Sequence, residues 1–164
     1  MLFRSLDGQG YAILDSYPGG GNVSDPRMQI GTLAYYYLLA DPNQTMLMIN
    51  GGFEPASDWS RHWIPAAAYD VGKPTGDWTM LATGQDPTNS KLTYYVYSRE
   101  YDNALVLYKP LSYAGGTTGT TDNNTATVHQ LNGTYRPLNA DGTLGAPTTS
   151  VRLRNGEGAI LIKV

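Results

Sequence analysis

Cysteine is absent from this 164-residue chain. There is therefore no disulfide scaffold, no thiol nucleophile and no cysteine-based metal centre, and the chain is compatible with either redox compartment. Charge is scarce as well. Asp, Glu, Lys and Arg make up 15% of residues, where about a quarter is usual, and the net charge is −3. No Lys/Arg cluster reaches the density that phosphate contacts demand, which argues against a nucleic-acid partner. No apolar run approaches the roughly 20 residues of a bilayer-crossing helix, which argues against a membrane. The opening MLFRSLDGQGYAILDS has neither a sustained apolar stretch nor a small-residue cleavage site, so it does not read as a secretion leader. Nothing asks for a cofactor. The two isolated histidines, His62 and His129, do not make a zinc site, and glycines 19–21 have no lysine in register for a phosphate loop.

Tyrosine and glycine are plentiful, at 13 and 19 residues. With the many Thr and Asn, this composition fits extracellular or carbohydrate-facing sheet proteins better than a cytosolic α/β enzyme. The chain is also divided in character. Residues 11–14 suit one short strand, and residues 46–49 a second. Between them, residues 24–40 predict a helix. Ser24 is placed to cap its free amides, Asp25 sits at the positive end, and Pro26 loses no hydrogen bond in the first turn. Pro42 disfavours helical geometry at Asp41, so the helix should stop near Ala40. Met28, Leu33, Tyr37 and Leu38 form an apolar stripe that Ile30, Ala34 and Tyr36 widen. Residues 53–77 lack periodicity and read as a long aromatic loop, a segment type that is usually functional or an interface.

From Trp78 onward, short alternating runs separated by Gly, Asn, Asp and Pro predict antiparallel strands. The runs are 78–82, 92–99, 104–109, 126–131, 134–138, 149–153 and 158–163, with a Gly/Thr/Asn-rich loop at 112–124. Asn132-Gly133 reads as a hairpin turn, and the last two runs as a pair around Asn155-Gly156. Ala159-Ile160-Leu161-Ile162 is apolar on both faces and belongs at the centre of a sheet. The expected fold is mainly β: an antiparallel β-sandwich over 78–164, preceded by a short α/β segment over 1–77 with one long helix.

The stretch Tyr97-Ser98-Arg99-Glu100-Tyr101-Asp102-Asn103-Ala104-Leu105-Val106-Leu107-Tyr108-Lys109-Pro110 resembles the opening hairpin of the all-β domain that follows the catalytic barrel in many bacterial glycoside hydrolases. Leu131-Asn132-Gly133-Thr134-Tyr135-Arg136-Pro137-Leu138 is similar to its middle hairpin, and Arg154-Asn155-Gly156-Glu157-Gly158-Ala159-Ile160-Leu161-Ile162 to its closing strand. The strand–helix–strand order at the front resembles the last pieces of such a barrel. The resemblance implies an accessory region derived from a glycoside hydrolase, with a polysaccharide or oligosaccharide as partner and a secreted or periplasmic parent protein. It also implies a cut barrel with exposed apolar faces, which favours a homo-oligomer through residues 24–40.

Three functional readings remain open at this point. In the first, the chain binds carbohydrate without catalysis: Trp59, Trp63, Tyr69 and Trp78 are the candidate stacking platforms, with Asp58, Arg61 and His62 as polar partners. The same rings also serve simply to seal helix against sheet. In the second, a small oligomeric glycoside hydrolase uses two carboxyl groups about 5 Å apart, or about 6.5–9.5 Å apart for inversion. Asp15 and Glu54, each following a strand candidate, are the pair that could converge. Turn formation accounts for Asp15 better than a catalytic role does. In the third, the β region is purely structural. Asp86, Asn89, Asp122, Asn123 and Asn124 offer oxygen ligands for calcium, but their spacing fits no established loop, and turns account for them.

Overall fold

A computed structural model describes residues 12–16, 24–41, 43–49 and 63–164. At the front, β1 (Ala12–Ser16) leads through the helix α1 (Pro26–Leu39) into β2 (Thr45–Ile49). The two strands pair in parallel, Ala12 opposite Thr45 and Ser16 opposite Ile49, with α1 as the crossover. Asp25, rather than the expected Ser24, is the N-cap. Its carboxylate accepts from the Arg27 amide at 2.9 Å and also holds the Arg27 guanidinium at 3.0 Å. Pro26 opens the helix, and the Ala40 amide closes it on the Tyr36 carbonyl. A short 3-10 turn follows at Pro65–Ala68.

The remaining strands are β3 (Thr79–Asp86), β4 (Asn89–Glu100), β5 (Ala104–Lys109), the short pair β6 (Tyr113–Ala114) and β7 (Thr117–Thr118), β8 (Thr127–Pro137), β9 (Thr148–Leu153) and β10 (Glu157–Lys163). The long ones form one six-stranded antiparallel sheet in the order β3-β4-β5-β10-β8-β9. The chain is thus mainly β with one long helix, and the sheet is a curled, open half-barrel. The curl is visible in one contact: the rings of Tyr94 on β4 and His129 on β8 are 6.0 Å apart, although two strands separate β4 from β8 in the ladder. The concave side holds Val96, Leu105, Leu107, Tyr135, Leu153, Ala159 and Leu161 in one apolar cluster.

Three local expectations change. The run at 84–89 is strand up to Asp86, with a tight turn at Pro87-Thr88. Asn132-Gly133 is no hairpin, because β8 runs straight through it. Gly133 is not among the glycines with positive φ, so the backbone conformation a two-residue hairpin needs is missing. The dipeptide instead marks a register shift between Gln130 and Tyr135. That shift lets one strand serve two partners: residues 127–130 pair with β9, and residues 135–137 with β10. Finally, β9 and β10 do turn at Asn155-Gly156, where Gly156 has φ 81°, but they pair on opposite sides of β8 rather than with each other. The apolar β10 is central, between β5 and β8, as its two-sided hydrophobicity demands.

The convex side is covered by α1 and residues 64–71. Leu33, Ala34, Ile64, Ala66 and Val71 share a core with Tyr101, Ala104, Val106, Leu138, Ile160 and Ile162. Full burial of each large apolar side chain is worth roughly 1.5–3 kcal/mol, so this cluster is the main force seating the helix. Its seat is also exact in height. Gly31 and Ala34 face Gly156 and Gly158, and a Cβ on Gly158 would collide with the Ala34 methyl and come within 2.9 Å of the Leu107 carbonyl. The far end of the helix is held by Arg99 of β4. Its guanidinium donates to the Ala40 carbonyl at 2.6 Å and to those of Tyr37 and Leu38 at 3.3 and 3.4 Å, while its Nε reaches Gly76. These are the carbonyls a helix leaves unpaired, at its negative end. The Tyr101 hydroxyl donates to the Tyr37 carbonyl as well, at 2.6 Å.

Candidate functional site

Seating the helix low on the sheet leaves a hollow along each flank. At about 100° per residue, Tyr35, Leu38 and Leu39 fall on one flank of α1, and Leu33, Tyr36 and Tyr37 on the other.

The first flank borders a cleft of about 280 Å³ whose walls include Tyr35, Trp78, Tyr97 and Tyr108, with Leu38 at its base. Strand register assembles it. Tyr97 on β4 is paired with Tyr108 on β5 and with Met80 on β3, so a row of two rings and one thioether crosses three strands. Trp78, just before β3, stands edge-on to Tyr97, with ring centres 5.3 Å apart and planes at 86°. Tyr35 packs against Tyr108 at 5.1 Å. Tyr95 lies beside Tyr97 with nearly parallel rings, 6.2 Å apart at 19°, and extends the aromatic surface along β4. Trp78 is 50% exposed, so part of its side chain is open to a ligand. Among the described residues, none that lines the cleft is charged. Burial, with Tyr35 beside it, pushes the Tyr108 phenol above its ordinary pKa. That phenol stays neutral across the physiological range and serves as a hydrogen-bond donor and acceptor.

The second flank borders a hollow of about 430 Å³ that includes Tyr36, Tyr37, Leu47, Trp63 and Ile64. Trp63 is 61% exposed there, whereas Tyr69 is half-buried and packs on the convex core. Two of the proposed platforms, Trp63 and Trp78, therefore stand in separate hollows. Asp15 lies on β1 opposite Met48, but its side chain falls outside the described residues. Glu54, Asp58, Trp59, Arg61 and His62 fall outside them too.

The concave face carries a polar cluster the sequence reading did not anticipate. Lys109 is completely buried. Its ammonium donates to the Thr125 carbonyl (2.6 Å), the Thr127 hydroxyl (2.9 Å) and the Leu153 carbonyl (3.4 Å), and sits 4.5 Å from the centre of the Tyr94 ring. The Thr127 hydroxyl is 2.7 Å from His129 Nε2. Next to it, Asn155 Nδ2 donates to Asp86 at 2.6 Å, and the Thr88 amide and hydroxyl satisfy the other Asp86 oxygen. Burial pulls the Lys109 pKa down to about 8, against the opposing pull of Asp86 and Glu157. Burial and the Lys109 charge hold His129 below its ordinary value, so its ring is neutral at pH 7. Burial alone would raise Asp86, but hydrogen bonds from Asn155, Thr88 and Ser112 outweigh it and bring it to about 2. Asp86, Lys109, Thr125, His129 and Asn155 are buried, Thr88 lies at the exposed edge, and among the described residues no buried side-chain nitrogen or oxygen lacks a partner. The cluster joins β5, β8 and β9 as a clasp. The signal was present in the sequence: Lys109 has the same alternation parity as Leu105 and Leu107, and so faces inward.

Among the described residues, no group of three or more His, Cys, Asp or Glu could hold a metal ion, and no helix is long and apolar enough to cross a membrane. Asp122, one of the oxygen donors that turns were expected to account for, caps a 3-10 turn at Asn123–Thr125. No known protein family, curated protein or solved structure matches this chain.

Proposed function

We propose that this chain is a non-catalytic, carbohydrate-associated accessory region, and that it contacts an uncharged polysaccharide or oligosaccharide at the aromatic cleft around Trp78. The observation that carries the reading is the cleft itself: four rings, from a helix, two strands and the residue before a third, one of them half exposed, with no charge among them. Pyranose rings present apolar C–H faces to aromatic π-faces, while tyrosine hydroxyls and the indole N–H remain for their hydroxyl groups. The lack of charge among the described lining residues favours neutral sugars over uronic or sialic acids. On this reading the half-barrel is an open form of the two-layer sandwich expected of residues 78–164. The parallel β1–α1–β2 unit stands where the glycoside-hydrolase resemblance places the end of a catalytic barrel, and the parent protein is secreted or periplasmic.

The test is a glycan-array screen followed by titration of the hits. Trp78→Ala should weaken binding at least tenfold, about 1.4 kcal/mol, with an unchanged circular dichroism spectrum. Trp63→Ala, in the other hollow, should leave those hits unaffected. A folded protein with no glycan hit, whose Tyr35 flank is instead buried in a dimer through residues 24–40, would replace glycan contact with self-association. Turnover of a glycan that disappears in Asp15→Ala would return the reading to a hydrolase.

A further inference from the structure

A third hollow lies at the other end of α1, and β8 creates it. Because residues 135–137 of β8 hold only the last part of β10, the β8–β9 ribbon diverges from residues 157–160. The last tie before the gap is the Leu138 amide on the Ile160 carbonyl, at 2.8 Å. The N-terminal turn of α1 bridges the gap from above, and a cavity of about 550 Å³ remains. That volume lies within the roughly 300–1,000 Å³ typical of small-molecule sites. Ile30, Leu138, Val151 and Ile160 contribute apolar surface to it.

Its charged residues are Arg27, Arg152, Arg154, Asp141 and Glu157. Most of these charges are already spent. Arg27 is paired with Asp25 at 3.0 Å, and Arg154 with Glu157 at 3.7 Å. Asp141 keeps its charge, its carboxylate held ionised by the Thr143 amide and hydroxyl on one oxygen, but it is exposed to solvent. Arg152 differs. Its guanidinium donates to the Asn123 carbonyl at 3.3 Å, and among the described residues no carboxylate stands within ion-pair range of it. An apolar hollow is thus joined to one cation that has no carboxylate partner among the described residues.

We propose that this hollow is a binding site for a small amphipathic monocarboxylate, its apolar body against Ile30, Val151 and Ile160 and its carboxylate on Arg152. Guanidinium and carboxylate match as a two-pronged hydrogen-bonded pair, and Arg152 is the lining cation left without a carboxylate among the described residues. This site goes beyond the glycan reading and is separate from the Trp78 cleft.

The probes are octanoate and octylammonium, which share a tail and differ in the sign of the head, titrated below micelle-forming concentration into the 15N-labelled full chain. Octanoate should give saturable amide shifts at Ile30, Leu138, Val151 and Ile160. Octylammonium should bind the same amides at least fivefold more weakly. Arg152→Gln should weaken octanoate about fivefold, as a partly exposed ion pair would, and leave octylammonium unchanged. Arg152 is exposed and makes one long hydrogen bond, so the variant keeps the fold, and its unshifted reference spectrum confirms this. The proposal is overturned if octanoate gives no saturable shift at these amides, if both tails bind equally, or if Arg152→Gln leaves octanoate affinity intact.

Discussion

Replacing Lys109 with methionine asks what a fully buried lysine does for this fold. Methionine keeps the length and the apolar stem but supplies no donor, so the Thr125 and Leu153 carbonyls lose theirs. The pH dependence gives a sharper test than the stability at one pH. In the fold, burial holds the Lys109 pKa at about 8, against 10.5 for an ordinary lysine. Between those values the unfolded chain binds the proton and the folded one does not. Stability must therefore rise with pH from about 8 toward 10.5 on account of this group. The full span is worth about 3 kcal/mol, most of it expressed by pH 10. Stopping at pH 10 keeps clear of Tyr101, whose phenol is pushed up to about 12 by burial and whose contribution declines only as pH rises from 10 toward 12. Urea unfolding followed by tryptophan fluorescence, run on both proteins at pH 7, 8, 9 and 10, isolates the effect, because groups common to both cancel in the difference. The wild type should gain about 2 kcal/mol on Lys109→Met over this range. Parallel stability curves would mean that the ammonium is solvated, and the buried clasp as described would be wrong.

Gly158→Ala forces a methyl into Ala34 and the Leu107 carbonyl. It should lower stability by roughly 1–3 kcal/mol, read as a lower thermal midpoint, whereas Gly76→Ala, which meets nothing, should cost under about 1 kcal/mol. Arg99→Met removes the donors that hold the last carbonyls of α1, and a loss of about 2 kcal/mol is expected with faster amide exchange at Tyr37–Ala40. Asp86 is held at about 2 in the fold against 3.8 in the unfolded chain. Its contribution, about 2 kcal/mol, is present above pH 4 and should be lost as pH falls from 4 to 2. In Asn155→Ala that acid-linked loss should shrink, as shown by comparing the two denaturation series.

Much of this architecture was legible because a few residues have narrow options. Pro26 and the polar residues before it mark the start of α1, and β10 declares its central place by being apolar on both faces. Misreadings arose where one dipeptide serves two geometries. Asn-Gly signals a turn only when the glycine takes positive φ; Gly156 does and Gly133 does not. Strand partners at β9 and β10 were misassigned because adjacency in sequence is a local cue, while the register shift in β8 is decided by packing across the concave face. For the cleft, Trp78 could be named in advance, but Tyr35, Tyr97 and Tyr108 could not. Tyrosines occur on both faces of β4, and only the pairing of Tyr97 with Tyr108 and the docking of a distant helix show which rings meet.

The glycine seam beneath α1 couples the hollows to the backbone. Two chain segments touch there almost without side chains, so the helix has no cushion that could absorb a change of height. Any drift that thickens the seam by one methyl tilts the helix like a plank on a pebble. Tyr35 then moves away from Tyr108 on one flank, Tyr37 moves relative to Trp63 on the other, and the hollow at Arg27 opens or shuts. Residues remote from every ligand would in this way reshape all three recesses at once, and new binding preferences could arise with no mutation inside any of them.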